Sequence, residues 1–273
     1  MRPELRLGDA VRQGTKILAR GGVDSPRLTA EVLLAHALGV ERVYLIAHSE
    51  DRLTELAWIH YGRWLHERLS GKPTQYITRK QEFYGREFSV APGVLIPRPE
   101  TELAVERAIE LARDLRGPIV DVGTGSGSIA VTLACELRRR VYAVDLAPVE
   151  LARANARRHN ADVVFWRGDL LTALRNAALI VTNPPYLPDG DALPREVGEW
   201  EPPLALYGGP DGLAVWRRII EQTPAGAWLV GEIDSRADML PLFDNAFSGK
   251  RWEHVEIRPD LADKPRVLSA RRI

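Results

Sequence analysis

The chain has 273 residues, 45% of them hydrophobic and 27% charged, and its 37 basic side chains balance 37 acidic ones to a formal net charge of +0. This is the composition of a soluble globular protein, long enough for roughly two domains. It excludes the whole-chain positive field typical of strong nucleic-acid binders, and no stretch approaches the ~20 uninterrupted apolar residues of a membrane span. The opening MRPELRLGDAVRQG has no apolar signal core, and the single cysteine, Cys135, leaves no intramolecular disulfide and no multi-cysteine zinc site. The expectation is a cytoplasmic protein with no membrane partner. Lysine occurs only at Lys16, Lys72, Lys80, Lys250 and Lys264, so arginine carries nearly all the positive charge.

Residues 1 to about 72 read as helices. In SPRLTAEVLLAHALG, Ser25 is the expected N-cap, Pro26 the first helical position and Gly39 the stop. Leu28, Val32, Leu33, Ala35, His36 and Leu38 are expected on its apolar side. TELAWIHYGRWLHERLSGKP sets Ala57, Trp58, Tyr61, Leu65 and Leu69 near one face, and Gly71 and Pro73 end it. TQYITRKQEFYGREFSV reads as two strand-forming runs around Tyr84-Gly85, a hairpin. The Pro-rich APGVLIPRPETE is a loop, so residues 73–98 form a hairpin and linker between a helical domain, 1–72, and a second domain, 99–273.

A helix over about Glu100 to Leu115 opens that domain, and from there strands and helices alternate. Strands are expected at 118–123, 141–145, 162–169, 178–183 and 227–233, with helices near 127–138, 148–159, 211–222 and 235–247. WEHVEIR and RVLSARR close the chain as strands. Alternation of this kind implies an α/β fold, a parallel sheet covered by helices on both faces.

The first chemical signal is IVDVGTGSGSIAVTLA, a strand running into Gly123, Gly125 and Gly127 and then a helix. Glycine permits the tight turn and lets backbone approach a ligand at the helix N-terminus. A dinucleotide fingerprint needs a small residue three past the second glycine, where this chain has Ser128, so the match is imperfect. The next strand ends in Asp145, whose carboxylate suits the ribose diol of a nucleotide or of S-adenosylmethionine (SAM) alike. The third ends in Asp169, at the edge where an adenine amino group would lie.

The fourth strand, ALIVT, stops at Asn183-Pro184-Pro185-Tyr186. Two prolines cannot extend a sheet ladder, and each pushes the residue before it toward extended geometry. The result is a stiff projection offering the Asn183 side-chain oxygen and the Pro184 carbonyl as acceptors. Two fixed acceptors suit a planar NH₂ donor, against which Tyr186 can lie flat.

NPPY after a G-x-G-x-G strand resembles SAM-dependent methyltransferases acting on planar amino nitrogens. With AEVLLAHALG, GKPTQYI, FYGREFSVAPGVLIPRPETE, DVGTGSGSIA, VDLAP, EPPLALYGGPDGL and RRII, nearly the whole chain is similar to the PrmC/HemK-type release factor glutamine methyltransferases. The resemblance implies a class I SAM-dependent methyltransferase domain, Rossmann-like with a seven-stranded mixed sheet, joined to a small N-terminal helical domain that helps grip the substrate. The substrate would be the glutamine of the Gly-Gly-Gln motif in peptide chain release factors of the bacterial class I type. The product would be S-adenosyl-L-homocysteine, with no metal and no direct nucleic-acid partner.

Carried over by residue, Gly123, Thr124, Gly125, Ser126 and Gly127 would bind SAM, Asp145 its ribose, and Asp169 and Leu170 would border the adenine. Asn183 would meet both SAM and the target amide, with Pro184, Pro185 and Tyr186 completing the amide pocket. Leu170 stands where relatives often carry an aromatic residue. GEIDSRAD and DLADKPRV also depart from the family pattern. The expected reaction is direct in-line methyl transfer, in which alignment supplies up to ~7–11 kcal/mol and no general base is required. An adenine-N6 nucleic-acid methyltransferase is the alternative, against which the neutral charge and the missing target-recognition domain argue.

Other residues read as structural. The six histidines show no metal-site spacing, Cys135 is a small core residue, Arg138-Arg139-Arg140 is a solvated helix end, and Glu100 and Glu102 favour the N-terminus of their helix.

Overall fold

Five helices occupy the first third of the computed structural model, which describes residues 5–174, 176–243 and 251–273. They are α1 (Leu7–Arg20), α2 (Pro26–Leu38), α3 (Arg42–Ala47), α4 (Glu55–Leu69) and α5 (Thr74–Thr78). The described residues form two compact units, and these helices, joined by Leu193–Trp200 with its short α9 (Arg195–Gly198), make the first. Leu18, Leu33, Leu34, Tyr61 and Leu65 fill its core. Gly14 lets α1 meet α4, since a Cβ there would stand 1.8 Å from the Tyr61 hydroxyl oxygen.

Two expectations for α2 change. Ser25 precedes Pro26 as expected, but its backbone is left-handed (φ 46°, ψ 54°) and its hydroxyl makes no capping bond. The cap requires extended backbone, as at Thr54 before α4, whose hydroxyl oxygen accepts from the Ala57 N–H at 3.3 Å. The buried stripe of α2 runs through Ala30, Leu33 and Leu34, the i, i+3, i+4 spacing of a helix face. It leaves Leu28 45% exposed.

The second unit comprises Lys80–Ala192 and Glu201–Ile273. It opens with an antiparallel hairpin, β1 (Lys80–Phe83) and β2 (Arg86–Ser89). Tyr84 and Gly85 both have positive φ, 51° and 67°, the pattern of a two-residue hairpin turn matched to strand twist. The expected first strand run was too long, because Thr74–Thr78 is helical. Phe83 and Phe88 anchor the hairpin in the same apolar cluster as α6 (Thr101–Ala112), packing edge-on with ring centroids 6.1 Å apart.

Beyond α6 come β3 (Ile119–Val122), α7 (Ser128–Leu137), β4 (Val141–Asp145), α8 (Glu150–Arg158), β5 (Val163–Arg167), β6 (Leu179–Thr182), α10 (Ala214–Gln222), β7 (Trp228–Glu232), β8 (Trp252–Pro259) and β9 (Pro265–Arg272). The strands form one seven-stranded sheet in the order β5-β4-β3-β6-β7-β9-β8. Adjacent residues feed opposite faces. Leu179 and Val181 enter the cluster shared with α6, α7 and α8, whereas Ile180 and Leu229 enter the one shared with α10. Gly231 admits Trp216 to that second face, since a Cβ would fall 2.5 Å from its ring.

The sheet is mixed, not wholly parallel as alternation alone implied. β9 runs antiparallel to β7 and to β8, and the short turn around Asp260–Lys264 that joins β8 to β9 can link only antiparallel strands. The expected helix over 235–247 is absent where described. Residues 235–239 are irregular and Leu240–Phe243 is a single 3-10 turn, while 244–250 lie outside the described residues. Asp234 instead engages Arg236, which also reaches Asp191 at 2.8 Å.

Candidate active site

The register assembles the site. Val122 pairs with both Val144 and Thr182, and Thr182 pairs with Gly231. One step beyond these residues lie Gly123, Asp145, Asn183 and Glu232, all at the carboxyl edge of the sheet. From β3 the chain runs outward to β4 and β5, then returns on the other side as β6. The ends of β3 and β6 therefore flank the topological switch point, where open α/β sheets bind ligands.

The three glycines of the first loop do different jobs. All have positive φ: 75° at Gly123, 53° at Gly125 and 83° at Gly127. A Cβ on Gly127 would press on Ala152 at 3.1 Å, so that glycine serves the packing of α7 on α8. A Cβ on Gly123 would stand in open space, with no heavy atom within 4 Å. Gly123 and Thr124 both donate to the Val144 carbonyl, at 2.9 and 3.1 Å, and Gly125 N–H donates to Asp145 Oδ2 at 2.7 Å. The other Asp145 oxygen accepts from Ala147 N–H at 2.8 Å. Asn155, fully buried, donates to the Ser126 carbonyl at 2.8 Å and exchanges two hydrogen bonds with the Ser89 backbone, tying loop, α8 and hairpin together.

Beneath the loop sits Asp121, with no exposed surface. One of its oxygens accepts from the Thr124 hydroxyl at 2.6 Å and from Ala130 N–H at 3.1 Å. The other, Oδ1, is buried with no hydrogen-bond partner among the described residues. Burial pushes its carboxyl up to about 7, against the two hydrogen bonds.

Asp169 and Leu170 follow β5 at the same edge. The Asp169 carboxylate accepts from Arg218 at 2.6 Å in an exposed pair, and Leu170 takes a left-handed backbone (φ 50°).

Asn183 is half-buried, and its Nδ2 donates to the Thr101 hydroxyl oxygen at 3.0 Å. Among the described residues no group donates to its Oδ1. Thr101 donates in turn to Glu232 Oε2 at 2.5 Å, and Tyr186 donates to Glu232 Oε1 at 2.9 Å. Burial holds the Glu232 carboxyl above the usual carboxylate range, opposed by those two donors and by Arg266. Burial, then the charge of Glu232, raises the Tyr186 hydroxyl as well, keeping it protonated and donating.

The NPPY loop rests on residues 206–212. Leu187 N–H donates to the Leu206 carbonyl at 3.0 Å, and Gly208 N–H to the Leu187 carbonyl at 2.8 Å. The stretch LIPRP is fastened by Glu201, 3% exposed, which takes the Ile96 N–H at 3.1 Å and pairs with Arg98. Glu102 accepts from Tyr84 N–H at 2.8 Å, so it holds the hairpin turn rather than only favouring its helix end.

The structure brings the glycine loop, Asp145, Asp169, Leu170 and NPPY, all singled out in the sequence, to one sheet edge, and adds Thr101, Asn155, Glu201 and Glu232, which were not. Thr101 and Glu201 lie inside the PETE and EPPLALYGGPDGL motifs, and Glu232 closes the apolar run AWLVG; Asn155 carries no such signal. Among the described residues, no cluster of histidine, cysteine or acidic side chains could hold a metal, and no helix is long and apolar enough to cross a membrane.

Comparison with known proteins places the chain in a family. Residues 9–78 match the PrmC N-terminal domain and residues 102–197 the methyltransferase small domain. A release factor glutamine methyltransferase of Koribacter versatilis is 41% identical, covering 98% of this chain and 99% of that protein. One from Moorella thermoacetica is 40% identical over 97% of each. The hMettl16 catalytic domain, solved with a 3'UTR hairpin, is similar in fold alone: TM-score 0.55 and 14% identity over 77% of this chain and 90% of that one. The chain belongs to the release factor glutamine methyltransferase family.

Proposed function

We propose that this protein transfers the methyl group of SAM to the side-chain nitrogen (N5) of the glutamine in the Gly-Gly-Gln motif of bacterial class I release factors, in the cytoplasm. The observation that carries this reading is the Asn183 amide. Its NH₂ is tied back to Thr101, which leaves its oxygen without a donor among the described residues, and the Pro184 carbonyl would supply the second acceptor. Such a pair would take both hydrogens of a primary amide and hold its nitrogen in one orientation. Pro184 and Pro185 would keep the two acceptors at fixed separation, and Tyr186, clamped by Glu232, would wall the pocket.

The residues present fit SAM. Open space over Gly123 leaves room for its charged tail, and the orphaned Oδ1 of Asp121 beneath the loop adds negative character there. Gly123, Thr124, Gly125, Ser126 and Gly127 would line that tail, Asp145 would take the ribose diol, and Asp169 and Leu170 would border the adenine. SAM, when bound, supplies a methyl group on a positively charged sulfur. The protein's contribution is alignment: an amide nitrogen is a poor nucleophile, and holding it in line supplies up to ~7–11 kcal/mol. The proton leaves after attack, so no side chain need remove it first. The first unit, α1–α5, would provide a separate surface for the release factor.

The direct test incubates the protein with radiolabelled SAM and one of four acceptors: a release factor, its Gln→Ala Gly-Gly-Gln variant, DNA, or RNA. Label is expected on the release factor alone, and lost with the Gln→Ala change. Label on nucleic acid only would keep the pocket and overturn the substrate.

Asp145→Ala is expected to weaken SAM binding by ~1.5–3 kcal/mol, the loss of a charged hydrogen bond. Because Asp145 also holds Gly125 N–H, the same change loosens the loop. Calorimetry showing unchanged SAM affinity would refute the role.

A further inference from the structure

We infer that Glu232, acting through Thr101, is a positioning residue that decides which way round the Asn183 amide faces. The inference rests on the glutamine-methyltransferase reading and adds to it two buried residues outside the proposed amide pocket. Glu232 is 1% exposed at the end of β7, and Thr101 is 3% exposed at the start of α6.

The Thr101 and Tyr186 hydroxyls and the Arg266 charge favour the ionised form of Glu232 against its burial; in that form it only accepts, so the single hydroxyl proton of Thr101 is committed to it at 2.5 Å. What Thr101 then shows Asn183 is a lone pair, and a lone pair can be met only by the NH₂ end of the amide, found at 3.0 Å. The amide oxygen must therefore face the other way. The two ends of an amide are nearly the same size, so packing alone would scarcely choose between them, and a flipped Asn183 would offer the substrate amide a donor where it needs an acceptor. The second oxygen of Glu232 fixes Tyr186 by the same logic, at 2.9 Å. One buried carboxylate thus sets the polarity of two of the four pocket residues.

The experiment uses the full chain with three substitutions: Thr101→Val, nearly isosteric but without the hydroxyl; Thr101→Ser, which keeps it; and Glu232→Gln, which adds a competing donor. Methylation of the release factor is measured for kcat and KM, and SAM affinity by calorimetry. The expected result for Thr101→Val and Glu232→Gln is a kcat lowered about 10²-fold, the cost of misaligning a reacting group, with SAM affinity and release-factor KM little changed. Thr101→Ser is expected to restore most of the loss. A Thr101→Val enzyme with normal kcat, or a loss confined to KM, would overturn the inference.

A second readout needs no substrate. With ¹⁵N-labelled asparagine, the Asn183 side-chain NH₂ should exchange its protons slowly in the wild type and Thr101→Ser, and rapidly in Thr101→Val and Glu232→Gln. Equal exchange in wild type and Thr101→Val overturns the inference. If the wild-type protein labels no release factor, the substrate reading fails while this measurement still decides the orientation of Asn183.

Discussion

Asn183→Ala is expected to lower kcat for release-factor methylation by roughly 10²–10³-fold, the range for deleting one hydrogen-bonding group aimed at the reacting atoms. The substitution removes the oxygen expected to accept from the substrate amide. It leaves Glu232 and Thr101 in place, so the Thr101–Glu232 bond survives and the fold should be little disturbed. SAM is expected to bind still, less tightly, because the glycine loop and Asp145 belong to different strand ends. The check is turnover at saturating SAM beside SAM calorimetry. Normal turnover would mean that the amide pocket has been assigned to the wrong residues.

Gly208→Ala is expected to destabilise the second unit by ~1–3 kcal/mol and to depress kcat as well. A Cβ on Gly208 would stand 2.3 Å from the Gly212 carbonyl oxygen and 2.5 Å from that of Pro185. Both are backbone atoms, so no side chain can rotate out of the way. Relief requires backbone to move at both contacts, Gly212 and Pro185, and moving Pro185 shifts the pocket between Asn183 and Tyr186. Gly62→Ala serves as the control. Gly62 lies inside α4 with nothing within 4 Å of its Cβ, and alanine there should be neutral or stabilising by ~0.4–1 kcal/mol. Denaturant unfolding and turnover of the two variants decide the matter. An unshifted midpoint with full turnover in Gly208→Ala would remove the 206–212 segment from the support of the pocket.

The elements legible in the sequence are those whose cause is local. Pro26 and Gly39 bracket α2 because ring closure and a positive φ act on their own residues. Tyr84-Gly85 makes the hairpin turn, and Gly123 to Gly127 the strand-to-helix turn, for the same reason. Periodicity was less sufficient: it placed Leu28 on the buried side of α2, where the packed stripe of Ala30, Leu33 and Leu34 excludes it. It also extended a helix over 235–239, where Asp234 and Arg236 hold the chain in a turn.

The sequence by itself determined the chemistry available. A glycine loop after one strand, an acid ending the next and NPPY ending another state which groups can meet a ligand, because each motif is a run of consecutive residues with its own backbone preferences. Only the tertiary structure decided how those groups are aimed. Thr101 and Glu232 stand 131 positions apart and meet because α6 packs against β6 and β7, whose register sets Glu232 level with Asn183, an arrangement no local rule encodes. Burial then does the rest. A carboxylate kept from water must spend its lone pairs on nearby donors, and those donors are the hydroxyls that orient Asn183 and Tyr186.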